Sequence, residues 1–168
     1  SWYDNKIIPS GFKRVAINIS PVQFKRPDFV QKIQQCIKET KVPVQFLEIE
    51  ITESSLKESN NSVIEKLLAI KKLGITIAID DFGTGHSSLS RLKQFPIDLL
   101  KIDRSFISDI CENESDMAIV KAIINMSNAL NINVLAEGIE TKDQAVQLKK
   151  LNCHYGQGFL FNKPLSAR

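Results

Sequence analysis

The sequence predicts an α/β fold, a (β/α)8-type (TIM) barrel of which this chain supplies about six of the eight strands. Three observations point there. Mostly apolar strand segments alternate strictly with helical segments, the pattern of a parallel sheet with helices outside. The polar residues Asn18, Glu50, Asp80, Asp81, Lys101, Glu137 and Gln157 all fall at or just past the C-terminal end of a strand, where a barrel builds its sites. They also come from successive strands, whereas an open doubly wound sheet binds its ligand at one switch point.

The elements follow in order. Ser1–Gly11 reads as the tail of a helix and a loop, with Trp2, Tyr3, Ile7 and Ile8 apolar but no element complete before Pro9-Ser10-Gly11. Arg14–Ile19 is a strand, and Pro27–Thr40 a helix with Phe29, Ile33, Cys36 and Ile37 on one face, which makes Cys36 a core residue. Phe46–Thr52 is the second strand. Ser62–Leu73 is a helix with Val63, Ile64, Leu67, Leu68 and Leu73 apolar, and Gly74 ends it where a C-terminal glycine belongs. Ile75–Asp80 is a buried strand, followed by a short helix from about Ser87 and the strand Asp98–Ile102. A long apolar helix covers about Ser115 to Leu130, a strand Ile132–Ala136, a helix Lys142–Leu151, and a final strand lies near Gly158–Phe161.

Composition narrows the class. With 168 residues, 43% hydrophobic and 24% charged, the chain can bury one domain's core and is not disordered. A net charge of +3 without a Lys/Arg block argues against a nucleic-acid polymer as partner. No apolar run approaches the roughly 20 residues that span a bilayer, and no signal peptide is visible. Cys36, Cys111 and Cys153 are odd in number and widely spaced, which favours reduced thiols and a cytoplasmic setting; a parent could still be tethered to a membrane through upstream segments.

The chemistry centres on Ile75–Gly85, ITIAIDDFGTG, where a strand delivers two adjacent carboxylates into a glycine-rich loop. Adjacent acids repel and are not buried without a proton or a cation. A solvated Asp-Gly turn is the plain alternative from this stretch alone. With Asn18, Glu50 and Glu137 converging on Asp80 and Asp81, the donor set is hard oxygen, suited to Mg2+ or Mn2+ rather than zinc. Two such ions could clamp an in-line phosphoryl displacement. Lys101 either orients or deprotonates a water there or serves as counter-ion to the acids. Glu48, deeper on the same face as Glu50, is buried or paired with a cation, and Glu53 is placed to anchor a loop.

The motifs resemble the EAL-domain family, bacterial phosphodiesterases that linearise cyclic di-GMP. Asn18-Ile19-Ser20-Pro21-Val22-Gln23 is similar to its Asn-x-Ser-x-x-Gln segment, Glu48–Ser54 to its acidic strand, and Asp80–Gly85 to its Asp-Asp-Phe-Gly-Thr-Gly loop. Leu100-Lys101-Ile102-Asp103, Ala136–Thr141 and Tyr155–Phe161 follow in the family's order. The resemblance implies a modified TIM barrel and a two-metal site using Mg2+ or Mn2+. It places metal binding on Asn18, Glu50, Asp80, Asp81 and Glu137, and catalytic roles on Lys101, Glu137 and Gln157. Ser20, Gln23 and Gln157 would contact substrate, and Glu53 would anchor the loop of Gly83, Thr84 and Gly85.

One feature departs from the family. The Glu-Ala-Leu strand, whose Glu is a metal ligand, and the phosphate-binding arginine after it are not in this sequence. Residues 1–168 are therefore expected to be a partial domain lacking two N-terminal strands. The parent is expected to hydrolyse cyclic di-GMP to the linear dinucleotide, and this chain alone to turn over weakly or not at all. The alternative is a degenerate domain, acting as a non-catalytic cyclic di-GMP receptor or partner-binding module. Exposed strand edges would favour a homodimer or an element-exchanged oligomer.

Overall fold

The computed structural model describes residues 12–56, 61–84 and 92–165. Six parallel strands lie in sequence order: β1 (Val15–Ile19), β2 (Leu47–Thr52), β3 (Thr76–Phe82), β4 (Leu99–Ile102), β5 (Asn133–Ala136) and β6 (Tyr155–Gly156). A flat sheet of six strands would hold its ends about 24 Å apart, five spacings of about 4.8 Å. Yet Lys13, just before β1, places its Nζ 5.0 Å from the ring of Tyr155 in β6. The sheet is therefore curled until its first and last strands face each other.

Alternation along the strands separates two environments. Ile49, Ile51, Ile77, Ile79, Leu100, Ile102, Val134 and Ala136 are buried in the apolar core. Glu48, Glu50, Thr76 and Lys101 occupy the alternate positions and are buried too. Register carries this across the sheet, with Ile51 beside Ile79, Ile79 beside Leu100 and Leu100 beside Val134.

Six helices are described: α1 (Pro21–Lys25), α2 (Phe29–Thr40), α3 (Asn61–Lys72), α4 (Arg104–Ser108), α5 (Glu114–Ala129) and α6 (Lys142–Lys150). Gly74 follows α3 with φ +86, and its N–H donates to the Lys71 carbonyl at 2.9 Å, closing the helix as its position predicted. Lys66 of α3 donates to the carbonyls of Phe24, Lys25 and Arg26 at 2.9–3.1 Å, which satisfies the C-terminal end of α1 and ties the two helices together. Gln144 of α6 closes a capping box with Thr141 and donates to the Ser108 carbonyl at 3.0 Å.

Several sequence expectations change. The last strand is Tyr155–Gly156 rather than Gly158–Phe161: the Phe161 N–H folds back onto the Gly158 carbonyl at 3.1 Å, making a turn of the more apolar segment. Cys36 is exposed, not core. It lines a groove of about 640 Å3 with Ile17, Ile33 and Ile37, because β1, beside α2, is the end strand of the sheet. The short helices α1 and α4 lie where a loop was expected after each strand. The opening Ser1–Gly11 and the start of the helix expected from about Ser87 lie outside the described residues.

Candidate functional site

Side chains from four adjacent strands meet at the C-terminal end of the sheet. Lys101, near the end of β4, is almost wholly buried, with its side chain 4% exposed. Its ammonium lies 2.8 Å from Glu50 Oε1 of β2, 2.9 Å from Asp80 Oδ1 of β3 and 2.9 Å from Glu137 Oε1, one residue past β5. An ammonium has three donors and here faces three carboxylates. Burial by itself would lower the lysine's pKa, but hydrogen bonds to Glu50, Glu137 and Asp80 outweigh it and raise it above the ordinary value. The three carboxylates around it favour the ammonium form.

A backbone irregularity brings the two aspartates together. Consecutive residues of a regular strand point to opposite faces. Asp81, however, has φ +54, and the β3–β4 register shifts between Ile79 and Phe82. A left-handed non-glycine residue costs about 1–2 kcal/mol, and Asp tolerates it better than most. The result is that Asp80, Asp81 and Glu137 each offer an oxygen within 4.8 Å of the others, so one cation could be held between them. Glu50 joins this group through Lys101. Asn18 stands beside Glu50 in the β1–β2 register and is exposed.

The electrostatics match a site built for positive charge. Burial raises the Glu137 carboxyl, against the pull of Lys101. Asp81 is likewise raised, by lost hydration first and then by the charges of Asp80 and Asp103. Asp80 Oδ1 is buried and faces the Lys101 ammonium at 2.9 Å. Three hard carboxylate oxygens within 4.8 Å of one another fit a divalent cation of the Mg2+ or Mn2+ type.

Supporting contacts fix the walls. Gln157, after β6, donates from Nε2 to Glu137 Oε1 at 2.6 Å. Glu53 is buried and its Oε2 accepts from the Gly83 N–H at 3.1 Å, while Thr84 Oγ1 donates to the Asp81 carbonyl at 2.9 Å. These bonds hold the turn after Asp81; Gly85 lies outside the described residues. Ser20 and Gln23 are committed to each other: Ser20 N–H and Oγ both donate to Gln23 Oε1, at 3.0 and 2.9 Å, as the capping box of α1. Glu48 is buried below Glu50 and reached by Arg14 at 3.6 Å, so both expectations for it hold.

One site residue was missed. Asp103 caps α4 by accepting from the Ser105 N–H at 2.9 Å and also shares a hydrogen bond with Asp81. Burial opposes it, but these bonds lower its pKa while that of Asp81 rises. Its signal was position, two residues beyond Lys101 on the same strand end.

Comparison with known proteins agrees with this geometry. The family model described as "EAL domain" matches residues 1–164. The chain is 41% identical over 152 residues to the cyclic di-GMP phosphodiesterase NbdA of Pseudomonas aeruginosa, covering 90% of this chain and 19% of that protein. The solved structure of the PaMucR phosphodiesterase in complex with c-di-GMP superposes with a TM-score of 0.91 at 36% identity, over 99% of this chain and 66% of that one. A manganese/cy-diGMP complex of BlrP1 from Klebsiella pneumoniae superposes with a TM-score of 0.80 at 32% identity, over 92% and 39%. The curled parallel sheet is thus TIM-barrel-like. The chain spans about a fifth of the length of the curated relatives it matches.

Proposed function

The chain belongs to the EAL domain family, and on that premise we propose that it carries the metal-binding and catalytic wall of a phosphodiesterase that opens cyclic di-GMP to the linear dinucleotide. The observation that supports this most is the meeting of Glu50, Asp80, Asp81 and Glu137, from two strands and the segment after β5, about the buried ammonium that β4 supplies. In this reading Asp80, Asp81 and Glu137, with Asn18 and Glu50 beside them, hold Mg2+ or Mn2+. The bound ions would supply an activated water and charge stabilisation of the leaving oxygen.

The chain's own residues do the remaining work. Glu137 is kept in one orientation by Gln157, which narrows where its second oxygen can point. Lys101 stays protonated and opposes the negative charge gathered in a low-dielectric pocket. Glu53 and Thr84 fix the turn that sets the Asp81 backbone in its left-handed conformation. Gln23 spends its carbonyl oxygen on the helix cap, so its amide nitrogen is the atom assigned to a substrate phosphate. Among the described residues β1 and β6 are the end strands of the sheet, and their edges support association with a second copy; light scattering giving a clean monomer at micromolar concentration would count against it. No helix among the described residues is long and apolar enough to cross a membrane.

Chromatography of cyclic di-GMP incubated with the full-length parent protein and Mg2+ or Mn2+ tests the reading. Linear dinucleotide should appear, and Asp80→Asn or Glu50→Gln should each reduce its formation at least about a hundredfold. Unchanged turnover in both variants would reject the assignment. Tight dinucleotide binding with no product in any metal would favour a receptor.

A further inference from the structure

Lys101 presents a contradiction that the proposed activity does not resolve. The oxygens it holds at 2.8–2.9 Å belong to three of the carboxylates assigned to the cations. An ammonium placed among metal ligands lowers their attraction for a metal. It must therefore be there for another reason.

That reason follows from the charge count. Glu50, Asp80, Asp81 and Glu137 contribute four carboxylates and Lys101 one ammonium, leaving three formal negative charges. Glu50 and Lys101 are buried, and the side chains of Asp80 and Glu137 are only 16% and 15% exposed. Buried like charges at this spacing drive one another apart or take up protons. Geometry also favours a central peg: β4 pairs with β3 on one side and β5 on the other, so a side chain rising from β4 reaches both neighbours' acids at once. Glu50 is one strand further and still within 2.8 Å because the sheet is curled.

Resting on the divalent-cation reading above, we propose that Lys101 is a tethered cation that holds Glu50, Asp80 and Glu137 in their ligating arrangement before an ion arrives, and that it weakens ion binding in doing so. The site is folded and preorganised without metal, and its ions stay exchangeable because part of the negative charge is already answered. Arginine is wider and planar but keeps the charge; methionine keeps much of the length and removes it. The two substitutions therefore separate charge from packing.

The test is Mn2+ titration of the full chain by calorimetry, with thermal unfolding followed with and without Mn2+. Lys101→Met is expected to bind Mn2+ about tenfold or more tightly than the wild type, since a charge opposing a divalent ion at close range is gone. Its melting point should fall in chelator and recover with Mn2+, giving a larger metal-induced shift than the wild type. Lys101→Arg should stay within about threefold of wild-type affinity. A residue with a merely structural role would lower affinity when removed, and a residue acting only on the reaction would leave it unchanged; either result for Lys101→Met overturns the proposal. So does a Lys101→Met protein that stays unfolded in saturating Mn2+. If the wild type itself binds no Mn2+, the cation reading falls; if wild type and Lys101→Met bind it equally, only this inference falls.

Discussion

Gly158 joins the fold to the site, and replacing it tests that link. A methyl group added there would lie 2.7 Å from the carbonyl carbon of Ile139 and closer still to that residue's nitrogen and oxygen. These are backbone atoms and cannot swing aside. The same contact is bracketed by two hydrogen bonds, Ile139 N–H to the Gln157 carbonyl and Leu160 N–H to the Ile139 carbonyl, each 3.0 Å. Overpacking of this kind costs about 1–3 kcal/mol, and the two bonds are worth about 1 kcal/mol each if both are lost. Gly158→Ala is therefore expected to cost about 3–5 kcal/mol of a total that is typically about 5–15. At a urea dependence of about 2 kcal/mol per molar, the unfolding midpoint should drop by about 1.5 M or more. Because Gln157 is the preceding residue, its bond to Glu137 should be lost as well. Gly74→Ala is the control: its added methyl meets only the Val44 side-chain methyl at 3.3 Å, so chiefly the left-handed φ of +86 is penalised, by about 1–2 kcal/mol. A Gly158→Ala protein within about 0.3 M of wild type, or one less perturbed than Gly74→Ala, would refute the reasoning.

Three other outcomes are expected. Ser20→Ala removes the α1 capping box and should cost about 1 kcal/mol in urea unfolding whether or not substrate is present. Glu53→Ala leaves the half-buried Gly83 N–H without its carboxylate and should cost about 1–3 kcal/mol; Mn2+ affinity should fall too, since the turn after Asp81 loosens. Burial raises the folded pKa of Glu48 above its ordinary 4.5, so the folded state binds that proton more readily than the unfolded chain does. The penalty is absent below about pH 4.5 and grows as pH rises through the raised value. Glu48→Gln should accordingly match wild-type stability near pH 4 and exceed it at pH 7; the exposed Arg14 contact at 3.6 Å is too weak to reverse the sign.

What could be read from the sequence was set by local pattern. Apolar strands alternating with helical stripes put β1 to β5 within a residue or two of their places, and the polar residues at the strand ends identified the site's members. Asn18, Glu50, Asp80, Lys101, Glu137 and Gln157 were legible because each sits at or just past the C-terminal end of a strand. What failed depended on long-range structure. Phe159-Leu160-Phe161 is more strand-like than Tyr155-Gly156, but a turn at Gly158 claims it. Cys36 has a core residue's spacing and lies in an open groove beside the end strand. Ser20-Pro21-Val22-Gln23 carried a helix-start signal that the substrate reading overshadowed. The positive φ of Asp81 has no sequence signature, yet without it Asp80 and Asp81 would face opposite sides of β3.

Anomalous diffraction from crystals of this protein soaked in Mn2+ bears most directly on the central idea. Manganese peaks should lie within about 2.0–2.4 Å of carboxylate oxygens of Asp80, Asp81 and Glu137. Peaks only elsewhere on the surface, with these three acids still clustered around Lys101, would contradict it.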